Sequence, residues 1–414
     1  MKKAIKIIFI SLLVLIIIIV VIIVVGLFAY VTQSIRDDMA TENEPNFITL
    51  TTTADELDNI VLTTNMEMPD SIRRNLEDYD YLVSFVEMNY APFSAIMEKG
   101  YEQEYRAMRK QLRQQISQGE VGIEKASSDY ALWFCSQFDT HFRVSTKTFR
   151  EAIKTDFPQD TEIIEYAPKA VSCKVDSCTW LIRVPSCLQS FEKQTDDAFQ
   201  QFLDSDCENL IIDIRGNEGG DDRVWKNYYL ALYDHPGKPS RIWFRNTPEN
   251  IQFYEYVLEM YPKSAFVQKL LIRMYVKELK KSEKEFIKRA EKEGDLGFQP
   301  TMRIHRAAVL IDGWTASSAE SLVEFVKNYS DRAKVYGVGK TAGANQTGDV
   351  NLGSLPNSKI EFQYPTTVES YFYDHDFSGT PGIAPDIIIP LPYATTLTDN
   401  IDEWVLWVAE DLKR

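Results

Sequence analysis

The hydrophobic pattern changes character several times along the chain. Positions 7–31 carry no charge and are mostly Ile, Val and Leu. As a helix, these 25 residues span roughly 37 Å at about 1.5 Å per residue, enough to cross a bilayer. A cleaved signal peptide is the competing reading, but its apolar region runs to only about 7–15 residues. Gly26-Leu27-Phe28-Ala29-Tyr30 also offers no A-x-A cleavage pattern. The run therefore predicts an uncleaved signal-anchor helix. Lys2, Lys3 and Lys6 precede it, while Arg36, Asp37 and Asp38 follow. The positive-inside rule then leaves the N-terminus in the cytoplasm and the rest of the chain outside.

Positions 32–69 are polar and read as a stalk. From Tyr79 to Gln118 the pattern turns helical, with Leu82, Phe85, Val86 and Tyr90, then Tyr101, Tyr105, Met108 and Leu112, recurring at helical spacing. Ser127 to Phe138 predicts another helix, ending just before Asp139-Thr140-His141. Beyond it, short β-rich runs alternate with helices, the pattern of an α/β domain. Strands are expected at Trp180–Val184, Leu210–Ile214, Ala307–Ile311, Val335–Val338 and Ile360–Tyr364. One intervening helix carries Phe199, Phe202 and Leu203, and another turns Ala319, Leu322, Val323 and Val326 inward. A helical insertion is expected at 249–294. Its second part, Lys277 to Glu293, is dense in Lys and Glu and reads as a solvated helix face; a lid over an active site is the alternative. The expected organisation is a tail and anchor helix at 1–32, a stalk at 33–78, a helical segment at 79–130, an α/β core at 131–398 and a C-terminal helix at 399–414.

Composition narrows this picture. With 44% apolar and 26% charged residues the chain is globular, which excludes wholesale disorder. Acidic residues outnumber basic ones 61 to 45, a net charge of −16. Nucleic acid is therefore not an expected partner, and the chain as a whole is a poor general binder of anionic lipid. Five Cys make no disulfide framework and leave one thiol unpaired. Cys173 and Cys178 enclose four residues, the wrong gap for a CxxC pair; a hairpin disulfide or two ordinary thiols both fit. The four His (His141, His235, His305, His375) are scattered without HExxH, which argues against a zinc enzyme. Gly339-Lys340-Thr341 lacks the first glycine of a P-loop, since position 334 is Lys334. Ser190-Phe191-Glu192-Lys193 matches S-x-x-K but has no S-D-N partner. Asn328-Tyr329-Ser330 and Asn345-Gln346-Thr347 are N-glycosylation sequons.

Two strand-to-turn segments hold the candidate chemistry. Gly313-Trp314-Thr315-Ala316-Ser317-Ser318-Ala319-Glu320 follows a predicted buried strand and opens a helix. A serine there has free backbone N–H groups and the positive helix end beside it, the setting a nucleophile with an oxyanion site requires. An ordinary serine N-cap fits the same segment. Leu210 to Arg215 runs into Gly216-Asn217-Glu218-Gly219-Gly220, where glycines allow close backbone approach; a plain tight turn is the alternative.

Taken together, these segments resemble the tail-specific, or C-terminal processing, serine peptidases and their tricorn-core relatives. Asp213–Gly220 is similar to D-x-R-G-N-x-G-G, and Gly313–Glu320 to the G-T-A-S-A-x-E nucleophile turn. Arg332–Gly337 is similar to R-A-x-V-x-G, Lys340–Gly343 to the next loop, and Gly382–Ile387 to G-I-x-P-D-I. Asp139–Val144 resembles the D-G-H-T-x-V motif of the His-containing branch. The resemblance spans about Tyr79 to Pro390 in family order. It implies a ClpP/crotonase-like β-α core behind the N-terminal helical segment, a peptide or protein substrate, and no cofactor. It implies Ser317 as nucleophile, His141 as general base, and the Ser318 N–H with that of Gly219 or Gly220 as the oxyanion hole. Asp213 and Glu320 match retained family positions, and both read as structural. Thr140 and Lys340 are accessory candidates; in the tricorn-like branch a Ser precedes the His and relays to a Glu, and Thr140 stands in that place. The acid is unplaced, with Asp374 and Asp376 as candidates. The catalytic Lys of the Ser-Lys type is replaced by Ala344, followed by Asn345 and Gln346. Glu218 stands where the family pattern has Gly, and no PDZ domain fits between His141 and Trp180. An inactive relative that binds peptides or apolar ligands in the same cleft is the alternative function.

Overall fold

The computed structural model describes residues 30, 33, 35, 68–156, 169–261, 265–292, 294–298, 303–370, 372, 381–393 and 401–414. The elements in chain order are α1 (Asp70–Asn89), α2 (Phe93–Ile96), α3 (Glu102–Ser117), α4 (Ile123–Gln137), β1 (Arg143–Val144), α5 (Lys147–Asp156), β2 (Val171–Lys174), β3 (Thr179–Arg183), α6 (Gln189–Leu203), β4 (Asn209–Asp213) and α7 (Lys226–Leu232). There follow β5 (Ser240–Arg245), α8 (Pro248–Met260), α9 (Phe266–Leu279), β6 (Phe286–Lys292), β7 (Arg306–Leu310), α10 (Ser318–Tyr329), β8 (Ala333–Gly337), β9 (Thr347–Ser354), β10 (Glu361–Glu369), β11 (Ile387–Ile388) and α11 (Glu403–Asp411).

A six-stranded sheet in the order β11-β8-β7-β4-β3-β2 forms the centre. All neighbours are parallel except β2, which returns antiparallel on β3. Parallel strands are covered on both faces, so they read as unbroken apolar runs; every residue of β4 is buried. Alternation then sorts side chains between two layers. Leu210, Ile212 and Ile214 pack with residues of α6, α7 and α10 on one face. Ile211, Ala308 and Leu310 pack with Trp404, Val405 and Val408 of α11 on the other. A second sheet has the order β1-β10-β5-β6, with β9 also on β10. Around α1, α3 and α4, Tyr90, Tyr130, Phe134 and Phe142 form an edge-packed aromatic cluster.

The chain folds into two units. The larger comprises 47–243 and 290–414, and the smaller 1–46 and 244–289. In the smaller unit Phe244, Ile251, Tyr254, Val276, Leu279 and Ile287 form a core of their own, against which Ile35 packs. The expected helix over Lys277–Glu293 is corrected here. α9 ends at Leu279, and Phe286–Lys292 is the strand β6. Phe286 and Ile287 are buried while the flanking lysines are not, a strand signal that the Lys and Glu density obscured. α1 begins at Asp70, directly after the polar positions 32–69, so 70–78 belong to the helix rather than to the stalk. All five cysteines are free thiols, so Cys173 and Cys178 form no bridge. Among the described residues no helix is long and apolar enough to cross a membrane. The predicted anchor at 7–31 lies outside the described residues except for Tyr30.

Candidate active site

Ser317 stands where β7 has ended and α10 begins, at φ 53° and ψ −122°. A non-glycine residue with positive φ is strained and persists only where its surroundings impose it. Here they do. Asp312 is buried and accepts from Trp314 N (2.9 Å), Thr315 N (3.0 Å), Gly216 N (3.0 Å) and the Tyr393 hydroxyl (2.8 Å). Burial pushes the Asp312 carboxyl above the usual carboxylate range, against the pull of those donors. Ala316 N donates to Asn217 O at 3.0 Å, and the Thr315 hydroxyl to Ile214 O at 3.1 Å. The two strand-to-turn segments are therefore laced together. Within Thr315–Glu320, Ser317 is the one residue that is not buried.

Gly219 shows how close the turns come. A Cβ built on it would lie 2.7 Å from Ala316 O, 2.8 Å from Ser317 Cβ and 2.9 Å from Ser318 N. Its φ of +95° is a second reason for glycine. Its N–H donates to Asn217 Oδ1 at 2.9 Å. Gly220 forms a parallel bridge with Cys187; Gly219 O and Asp221 N face Cys187, so the Gly220 peptide groups between them face away from it. Glu218 is exposed. The Ser318 hydroxyl is committed to Asp222.

Glu320 is fully buried and joins its own serine turn to the loop 341–344. It accepts from Ser317 N at 2.9 Å, Gly343 N at 2.9 Å and Ala344 N at 2.7 Å, and from the Thr341 hydroxyl. Burial raises its carboxyl above the usual range, and the donors oppose that shift. Gly343 O in turn accepts from Thr140 N at 3.4 Å. The serine turn and the histidine turn are thus two hydrogen-bonded links apart. Ala344, at the place of the family's lysine, is buried. Lys340 is exposed, whereas its neighbour Thr341 is buried.

His141 lies between α4 and β1 and is buried. Its Nδ1 is 2.7 Å from the Thr347 hydroxyl and 3.4 Å from Asp139 Oδ1. Thr347 donates to Asp139 Oδ1 at 2.8 Å. Asp139 also accepts from His141 N at 3.0 Å and from the Tyr90 hydroxyl at 3.1 Å. A hydroxyl has one proton. With that proton on Asp139, Thr347 can only accept from His141, so Nδ1 carries a proton; in the neutral imidazole that leaves the lone pair on Nε2.

The accessory assignment therefore changes. Thr140 Oγ1 is buried with no hydrogen-bond partner, and Thr347 supplies the hydroxyl on the imidazole. Asp139 is the carboxylate beside it, while Asp374 and Asp376 lie outside the described residues. Sequence reasoning missed Thr347 because it is distant in the chain and stood out only as the end of a sequon. Register brings it in: β1 pairs with β10 at Gln363↔Arg143, and β10 pairs with β9 at Val368↔Thr347. A cavity of about 200 Å³, lined in part by Phe138, Asp139, Thr347, Phe372 and Ile383, adjoins the pair. Among the described residues no cluster of His, Cys, Asp and Glu is placed to hold a metal ion.

The family model described as peptidase family S41 matches residues 179–389, more than half of the chain. The chain belongs to peptidase family S41. It is a serine-type peptidase. The matched span contains Ser317, Gly219, Gly220 and Thr347, and begins after His141. No match was found among curated protein sequences. Two solved structures of mature CPAF are similar in fold with a TM-score of 0.50. The one complexed with lactacystin is 13% identical and covers 77% of this chain and 94% of its own. The other is 14% identical, with 83% and 96% covered. A lipoprotein from Streptococcus agalactiae has a TM-score of 0.42 at 13% identity, with 85% of this chain and 99% of its own covered.

Proposed function

We propose that this S41 peptidase is a membrane-anchored, extracytoplasmic endopeptidase that hydrolyses peptide bonds through an acyl-enzyme on Ser317. The strained Ser317 at the mouth of α10, backed by Gly219, carries the reading. His141 is the general base. Its Nε2 takes the Ser317 proton as the hydroxyl oxygen attacks the scissile carbonyl, then returns it to the leaving amine. Asp139, through Thr347, holds the imidazole in the tautomer that makes this possible. The Ser318 N–H, aided by the helix end, meets the oxyanion. Gly220 is the better second donor, because the Gly219 N–H is already given to Asn217. Water then attacks the acyl-enzyme by the reverse path, and no cofactor takes part.

The exported location rests on the uncharged run at 7–31 and on the lysines before it. Fluorophosphonate labelling tests the site directly, since only an activated serine reacts. The full-length protein should label, Ser317→Ala should abolish labelling, and Ser318→Ala should retain most of it because the N–H remains. A lethal Ser318→Ala with reactive Ser317→Ala would move the nucleophile by one residue. Absence of labelling in the wild-type protein would favour a peptide-binding relative.

A further inference from the structure

We infer that the smaller unit docks on an anionic membrane surface through the outer face of α9. This rests on the membrane-anchored reading above. The observations are independent of the catalytic site. The chain is acidic overall, yet positions 244–289 hold ten Lys and Arg against six Glu and no Asp. The insertion is thus a basic island on a chain of net charge −16.

On α9, Phe266, Leu270, Arg273 and Lys277 follow at intervals of four, three and four, which places them on one face. Val267 and Leu271 form the adjoining stripe. Phe266 is 66% exposed, Val267 61% and Leu271 42%, and Arg273 and Lys277 are exposed as well. Core packing does not account for them, because α9 buries Met274, Val276 and Leu279 instead. An apolar tip followed by a cationic collar is the composition of a helix lying in a headgroup layer.

The occupant follows from where the unit is tied. Ile35 lies four positions beyond the uncharged run at 7–31 and packs against the core that α8, α9 and β6 share. Tyr30, helical and 73% exposed, sits at the end of that run, where an aromatic side chain suits the membrane interface. The insertion is therefore joined to the base of the proposed anchor. Its apolar side chains meet the acyl boundary, and its basic ones meet anionic headgroups.

The test uses the full chain reconstituted in phosphatidylcholine vesicles with or without phosphatidylglycerol. Phe266→Trp adds a reporter to the wild-type fluorescence. The added emission should be blue-shifted and quenched severalfold by acyl-brominated lipid in the anionic vesicles, and much less in neutral ones. Arg273→Glu with Lys277→Glu should remove that quenching while leaving fluorophosphonate labelling intact. If the protein stays in the bilayer through alkaline washing but the introduced indole remains water-exposed, docking is overturned and the anchor stands. If washing strips the protein from the vesicles, the anchor reading itself fails. Protection of the reporter that depends on protein concentration rather than on lipid charge would assign this face to a second protein and overturn the proposal.

Discussion

The Thr347 hydroxyl has one proton, and its two partners decide where it goes. Asp139 takes it at 2.8 Å, so the 2.7 Å contact to His141 Nδ1 is one in which the imidazole donates. In the proposed mechanism Thr347 is a positioning residue, acting on Ser317 through the tautomer of His141. Thr347→Val keeps the shape and removes the hydroxyl. It should lower kcat by about 10²-fold, within the range general-base catalysis contributes, and leave KM nearly unchanged. Thr347→Ser should restore most of the rate. His141→Ala should cost more than either. Lys340→Ala as the more damaging variant would overturn the histidine assignment. Steady-state kinetics on these four variants decides between them.

At the scale of elements, the site is two strand ends pressed together. β4 delivers Gly219 and β7 delivers Ser317, and adjacent parallel pairing from Asn209↔Arg306 to Asp213↔Leu310 brings both turns to one edge. This much was legible in the sequence, because buried parallel strands are continuous apolar runs and both turns carry glycines. Ser317, Ser318 and His141 stood out through short motifs around each. Thr347 did not, since its position depends on the long-range register of β9 and β10, and β9 is neither apolar nor strictly alternating. β6 was hidden for a similar reason: Phe286 and Ile287, buried among its described residues, sit among lysines. Gly219→Ala tests the pressed geometry. The new Cβ would meet backbone atoms of the serine turn at 2.7 and 2.9 Å, which cannot give way as a flexible side chain would. The φ of +95° adds strain of about 1–3 kcal/mol. The expected result is a large loss of kcat/KM with a modest drop in Tm; full activity would show that the serine turn does not need the close approach of Gly219.

For the whole molecule, a buried charge cluster connects the Gly216–Gly220 turn to the far layer of the sheet. Asp213 at the end of β4 pairs with Arg183 of β3 and with Arg215, and Arg215 reaches Asp402, the N-cap of α11, at 2.8 Å. These side chains are fully buried, and the Arg215 guanidinium lies 5.1 Å over the Trp404 ring. Burial pushes the Asp213 carboxyl up, but Arg183 and Arg215 outweigh it and hold the carboxyl well below the usual range. A depressed folded pKa gives stability that is present above the unfolded value, about 3.9, and that is lost as pH falls through the folded value. Asp213→Asn leaves two buried guanidinium groups short of a countercharge, at a cost of about 3–5 kcal/mol. Urea unfolding at neutral pH should show that loss. The gap between mutant and wild type should narrow at strongly acid pH, where the wild-type carboxyl also becomes neutral. The loss should reach catalysis too, because Arg215 leads directly into Gly216 and the turn that backs Ser317. A neutral-pH stability equal to wild type would show that the cluster contributes nothing net to holding α11 and the serine turn on the same sheet.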